Sequence, residues 1–235
     1  MSAMHDLPAL FLSQEHSCGY LPDKTARTLF ANPESEITTE TYNIMLKHGF
    51  RRSGSLVYRS YCEHCNACIP VRIPVSRFRP NRSQRRCWRK NQDLDIHIAP
   101  AEFNPEHFAL YQRYIHSRHT DGNMATDDHD TYMKFFVSPA IESRFVEMHH
   151  NRQLIAVCII DVLEDALSAV YTFFDPNYAD RSPGVFSILW QINEANSRNL
   201  DWLYLGYWIE ECQKMNYKSA YKPLERYNNP DWVEI

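Results

Sequence analysis

The 235-residue sequence predicts an α+β protein with a mainly antiparallel sheet, in two parts: a cysteine-bearing, basic region over 1–92 and a larger domain over 93–235. Three observations predict it. Alternating apolar runs crowd residues 143–174, with helical periods on either side. Three cysteines stand at C-x-x-C-x-x-C spacing between 62 and 68. Residues 51–90 hold 11 of the 25 Lys and Arg with a single acid, Glu63, so this stretch is net +10 while the rest sums to −14. With 44% hydrophobic and 13% aromatic residues the chain can bury a substantial core, which excludes disorder.

The N-terminus, "MSAMHDLPALFLSQEHSCGYLPDK", has no positively charged start followed by an apolar run. No stretch approaches the roughly 20 apolar residues of a membrane span, so a cytoplasmic protein with neither a membrane nor a DNA partner is expected. Seven cysteines without an export signal point to free thiols or metal ligands, not a disulfide framework. The spacing of Cys62, Cys65 and Cys68 can set successive thiolates round zinc or an iron–sulfur cluster, with Cys18 or His64 as fourth ligand. The other reading is a set of reduced, partly buried thiols at the entry to a strand. Cys158 in "LIAVCII" and Cys212 in "IEECQKM" read as small core residues.

"IPVRIPV" alternates, with Ile69, Val71, Ile73 and Val75 on one side and Arg72 on the other. Its two prolines cannot donate to a ladder, which predicts an edge strand. A helix should follow over about 81–91, capped by Asn81 or Ser83. Arg82, Arg85, Arg86, Arg89 and Lys90 then fall at i, i+3, i+4, i+7 and i+8, one face of that helix, with Trp88 off the stripe. Like charges at i,i+4 each destabilise a helix by roughly a few tenths of a kcal/mol. An anion offsets that repulsion, so phosphate binding is favoured over a merely solvated face.

Beyond residue 92, "DLDIHI" alternates as a strand. Residues 105–118 set Phe108, Tyr111 and Ile115 on a helical stripe, and "TYMKFF" reads as a second helix. "SRFVEMHH", "QLIAVCIIDVL" and "ALSAVYTFF" form an antiparallel meander, "FDPNYADRSPG" a loop, "VFSILWQINEANSRN" an amphipathic helix and "DWLYLGYW" a further strand. Helices, meander, helix, strand is the order of an acetyltransferase-like (GNAT-type) domain. Such domains grip the coenzyme A pyrophosphate with Arg or Gln, two residues, Gly, one residue, then Gly or Ala, ahead of a helix N-terminus. Here Arg181 and Gly184 are in place, but Phe186 occupies the last small position, which disfavours coenzyme A.

Three blocks, "HSCGYLPDKTARTLF", "GFRRSGSLVYRSYCEHCNACIPVRIPVSRFRPNRSQRRCWRKNQDL" and "YLGYWIEECQKMNYKSAYKPLE", together resemble the arginyl-tRNA-protein transferase family in its bacterial branch, the aspartate/glutamate leucyltransferases of the N-degron pathway. The resemblance spans nearly the whole chain. It implies transfer of leucine from leucyl-tRNA to the N-terminal amine of proteins beginning with Asp or Glu. Eukaryotic relatives carry a Cys-Gly-Tyr-Cys element and a Cys-Cys pair associated with an iron–sulfur cluster. Here Leu21 follows Cys18-Gly-Tyr and Ala67 precedes Cys68, so only Cys18 and Cys68 match that set, and Cys62 and Cys65 would have to complete it.

The chemistry needs no cofactor. An aminoacyl ester is already activated, and an α-amine with a pKa of about 7.7 to 8.0 is partly neutral in the cell. The protein must orient amine and ester, supply an oxyanion donor and give a proton path to the departing ribose hydroxyl. Tyr204 and Tyr207 in "YLGYW" are the catalytic candidates, against a background of 14 tyrosines that mostly serve packing. Reading an acidic first residue calls for a positive side chain. Arg72, Lys218 and Lys222 are the candidates, with Arg181 as an outside choice that can instead meet the tRNA end. Arginine transfer from arginyl-tRNA by the same mechanism, a coenzyme A-dependent acetyltransferase and a zinc-knotted nucleic-acid-binding module are the alternatives.

Overall fold

The computed structural model describes residues 7–118 and 128–235. In chain order the first part holds β1 (Leu10–Leu12), β2 (His16–Ser17), β3 (Thr25–Ala26), β4 (Thr28–Ala31), α1 (Thr39–Lys47), β5 (Arg51–Ser53), β6 (Leu56–Ser60), β7 (Ile69–Pro74) and α2 (Arg82–Lys90). The second holds β8 (Asp95–Pro100), α3 (Pro105–Arg118), α4 (His129–Phe136), β9 (Ser143–His150), β10 (Gln153–Val162), β11 (Ala166–Phe174), α5 (Pro183–Ser197), β12 (Trp202–Trp208), β13 (Glu225–Asn228) and β14 (Asp231–Glu234). This is the α+β class and element order expected. No helix among the described residues is long and apolar enough to cross a membrane.

A small sheet runs β1-β4-β6-β5, and the main sheet runs β14-β13-β7-β12-β11-β10-β9-β8. All main-sheet pairs are antiparallel except β11 with β12. β10 is apolar without alternation because both its faces are covered. Ala156, Cys158 and Ile160 join the core under α5, while Val157 and Ile159 join Tyr111, Ile115, Tyr132 and Phe136 of α3 and α4. Cys158 is fully buried there, as its apolar surroundings suggest.

Two expectations need correction. β7 is no edge strand: it lies between β12 and β13. Its prolines limit the ladder on one side only, because β13 pairs with just Val71 and Arg72, the stretch between Pro70 and Pro74. In consequence the main sheet crosses residue 92, since β7 from the basic region completes it. The small sheet is fused to it as well, through a core in which Tyr42, Leu46 and Phe50 meet Leu163, Ala166 and Tyr204.

Candidate active site

The parallel pair β11 and β12 is bonded only from Ala166–Ser168 to Trp202–Tyr204. Beyond that the strands part, and the sheet opens. A narrow cleft lies there, lined by Ser168, Ala169 and Val170 of β11, Tyr204 and Gly206 of β12, Val71, Trp232 and the strand β5. A bulge between Tyr204 and Gly206 breaks the β12 register against β7. Gly206 has φ 70°, and a Cβ on it would sit 3.3 Å from Arg51 Nη1, so glycine lets β5 come close.

Adjacent residues of a strand face opposite ways, and β5 uses this to divide two arginines. Arg52 is buried: Nε donates to Asp161 Oδ2 at 2.8 Å, Nη2 to Asp161 Oδ1 and Ser143 Oγ, and Nη1 to the Gly54 and Phe136 carbonyls. Arg51 instead lines the cleft, its guanidinium 5.3 Å from the Tyr207 ring centroid and 5.8 Å from that of Tyr58. Among the described residues nothing accepts a hydrogen bond from it. Sequence reading passed over both; the available signal was the pair "RR" on a short strand, which must split between a buried and an open side.

The two candidate tyrosines part company. Tyr204 lines the cleft, accepts from Arg72 Nη1 at 3.3 Å and is pushed up to about 12 by burial. Tyr207 lines a second pocket and accepts from the Ser60 N–H at 2.7 Å, with burial raising its pKa. Arg72 is buried, donates to Glu225 Oε2 at 2.8 Å and stacks 3.5 Å from the Trp202 ring centroid. Arg181 forks onto Asp93 at 2.8 and 2.9 Å and donates to His150 Nε2; that hydrogen bonding brings Asp93 down to about 2. Lys222 is exposed and donates to the Ile235 carbonyl at 2.7 Å. Lys218, 4% exposed on the turn Asn216–Ala220, donates to the Tyr207 carbonyl. Burial first, and then the Arg51 charge, bring its ammonium down to about 7.

Helix α2 forms as its sequence dictates. Asn81 Oδ1 accepts from the Gln84 N–H at 3.0 Å while Gln84 Oε1 accepts from the Asn81 N–H at 2.8 Å, a complete capping box. Arg82, Arg85, Arg86, Arg89 and Lys90 are exposed, and Trp88 packs on Phe186 with centroids 5.5 Å apart. Lys90 donates to Asp180, and Asn91 donates to the Arg181 carbonyl, so the basic face borders the loop that leads into α5. Phe186 at that helix start turns into the core.

Cys18, Cys62, Cys65 and Cys68 line the second pocket together with Tyr207. The N–H groups of Tyr20 and Leu21 point at Cys18 Sγ, at 3.5 and 3.4 Å, and Cys68 is pushed up to about 11 by burial and by the neighbouring thiols. The donor type suits zinc or an iron–sulfur cluster. The placement does not: among the described residues no three Cys, His, Asp or Glu side chains converge closely enough to hold a metal ion. His64 is exposed.

Models of the arginine-tRNA-protein transferase family match twice, the N terminus over residues 16–86 and the C terminus over 106–228. The chain is 50% identical over 223 residues to an aspartate/glutamate leucyltransferase of Nitrosococcus oceani, covering 94% of both chains. It is 46% identical to that of Marinobacter nauticus, covering 96% of this chain and 95% of the other, and 47% identical to that of Pseudomonas fluorescens SBW25, covering 96% of each. Solved structures that superpose include FemX, with TM-score 0.49 and 8% identity over 81% of this chain and 77% of that one. Another is L-PGS from Bacillus licheniformis, with TM-score 0.48 and 10% identity over 72% and 51%. With both halves of the family pattern present in order and relatives matched end to end, the chain belongs to the arginine-tRNA-protein transferase family and is an aminoacyltransferase.

Proposed function

We propose that the protein transfers leucine from leucyl-tRNA to the N-terminal amine of proteins beginning with Asp or Glu, marking them for degradation by the N-degron pathway in the cytoplasm. The observation that carries this reading is the near full-length match, at 50% identity, to an enzyme of that name. The site supports it. An exposed basic helix and an opened sheet in one molecule suit a donor that is a tRNA, whose phosphates the helix can take along Arg82, Arg85, Arg86, Arg89 and Lys90 and whose aminoacyl end the cleft can take. Phe186, packed inward where coenzyme A would need a small residue, supports a donor other than coenzyme A.

In the cleft the substrate amine attacks the ester carbonyl, and the tetrahedral intermediate collapses with loss of the tRNA ribose hydroxyl. No enzyme nucleophile takes part. Tyr204 keeps its proton at cellular pH, and because its oxygen accepts from Arg72, the O–H is left to donate to the oxyanion or the departing oxygen. Arg72 holds the Tyr204 hydroxyl and Lys218 holds the Tyr207 carbonyl next to Gly206, while Arg181 is engaged with Asp93 and His150 and does not line the cleft. The cysteine pocket enters no step; elemental analysis of anaerobically purified protein decides whether Cys18, Cys62, Cys65 and Cys68 hold zinc, a cluster or remain thiols.

A reconstituted assay with charged tRNA and peptides differing only in their first residue tests the reading. Leucine transfer to Asp and Glu starts, with little to Ala or Lys starts, is expected. Arginyl-tRNA run in parallel separates the two donors, and acetyl transfer from acetyl-coenzyme A without tRNA would overturn the proposal.

A further inference from the structure

Three inward-facing arginines hold resident carboxylates: Arg52 has Asp161, Arg72 has Glu225 and Arg181 has Asp93. Arg51 has none. It reaches the cleft from β5, its guanidinium lying over the Tyr207 and Tyr58 rings at 5.3 and 5.8 Å from their centroids. Aromatic faces can hold a lone guanidinium, but they leave its five N–H donors unused. Among the described residues Lys218 is a second cation without a carboxylate, its Nζ donating to the Tyr207 carbonyl and meeting Met215 Sδ and the Tyr217 ring. Tyr207 therefore presents its ring to one cation and its carbonyl to the other. Burial, and after it the Arg51 charge, depresses the Lys218 ammonium, so the two cations are close enough to act on each other. Gly206 keeps the space before Arg51 Nη1 clear, since any side chain there would begin 3.3 Å from it.

We propose that Arg51 is the specificity-determining residue of the cleft, its guanidinium taking the side-chain carboxylate of the protein substrate's first residue. The inference rests on the proposed leucyl transfer to acidic N-termini and deepens it. Arg72 is engaged through Nε with Glu225 and through Nη1 with Tyr204, the Arg181 fork is filled by Asp93, and Lys222 is tied to the chain end. A carboxylate meets the Arg51 fork with two charge-assisted hydrogen bonds. An Asn or Ala start leaves the cation unpaired, and that penalty is the discrimination. A phosphate of the tRNA end shares this anion chemistry, so the test keeps the two sources apart.

Wild type, Arg51→Met and Arg51→Lys are compared at fixed leucyl-tRNA on two peptides that differ only in an Asp or Asn start, with leucyl-tRNA affinity measured separately. Arg51→Met should lower kcat/KM on the Asp peptide about a hundredfold or more, because a half-buried fork has been removed. Its Asp-to-Asn ratio should fall close to one, with leucyl-tRNA affinity kept within about twofold of wild type. Arg51→Lys keeps a charge against the tyrosines but loses the fork, so its ratio should fall about fivefold or more without vanishing. If circular dichroism shows Arg51→Met unfolded, Arg51→Lys decides alone. A wild-type Asp-to-Asn ratio in a folded variant overturns the assignment, as does equal loss on both peptides with weakened leucyl-tRNA binding, which would make Arg51 a phosphate contact. Wild type that shows no preference for acidic starts overturns the proposed function itself, a result distinct from a preference that survives the loss of Arg51.

Discussion

Arg52 and Arg51 are neighbours with opposite fates, and the difference lies in what each side chain meets. Arg52 and Asp161 are both fully withdrawn from water, and Ser143 and two carbonyls satisfy the remaining donors. Breaking such a pair strands a charge, so Arg52→Met should cost about 3 to 5 kcal/mol. Urea unfolding checks it, and adding Asp161→Asn should recover part of the loss. Lys218 has a different signature. Its folded value of about 7 lies below the ordinary lysine value of about 10.4, so between these the unfolded chain binds a proton that the fold does not. Stability therefore rises with pH across that window; the penalty is fully present below about pH 7 and is relieved above it. Relative to Lys218→Met, wild type should gain up to about 1.4 kcal/mol per pH unit between pH 7 and 10, read from urea curves at pH 6.5 and 8.5. Parallel behaviour of the two proteins would show that Lys218 stays charged. None of this was legible in "GFRRSG" or "NYKSAYKP", because a side chain's partner depends on which distant strand comes alongside.

Helix α2 shows how far local sequence reaches. Its cap, its bounds and its exposed stripe follow from Asn81, Gln84 and the spacing of the basic residues alone. The five cations remain against solvent except for Lys90, which meets Asp180. If tRNA phosphates complete the stripe, Arg85→Ala with Arg86→Ala should flatten the slope of log K against log salt for leucyl-tRNA by roughly 0.7 to 0.9 per lost contact. An unchanged slope in a folded variant would assign these residues to solvent. Other elements were equally legible where apolar residues repeat with a clear period: β9 and β11 span the runs "SRFVEMHH" and "ALSAVYTFF". α5 begins earlier than its apolar period because Pro183 is pre-set for the first turn. β13 and β14 escaped notice, since "ERYN" and "DWVE" are short and carry charge on both faces. The proline rule misplaced β7 because it constrains hydrogen bonding on the side where the N–H would point and says nothing of the other.

At the scale of the molecule, the partition at residue 92 that charge and cysteines suggest is not a partition of the fold. β7 runs antiparallel to β12 over Ile69–Pro74 and carries β13 on its far edge, so removing it separates β12 from the β13–β14 hairpin. Val71, Ile73 and Val75 would be lost from a core that also holds Leu203, Leu205 and Leu224. The loss of α2 would uncover Phe186 where Trp88 packs on it. Burying an aliphatic side chain stabilises by about 1.5 to 3 kcal/mol, so these three residues alone carry an amount comparable with the net stability of a whole domain, about 5 to 15 kcal/mol. A fragment of residues 93–235 should therefore lack a cooperative urea transition, whereas one of 39–235, which keeps α1, β5 and β7, should regain it, both read by circular dichroism and tryptophan fluorescence. The longer fragment keeps β5, and with it both Arg51 and the Arg52 that pairs the buried Asp161. A cooperative transition in the shorter fragment would mean that the sheet closes without β7, and that the basic region is an appendage to the transferase domain after all.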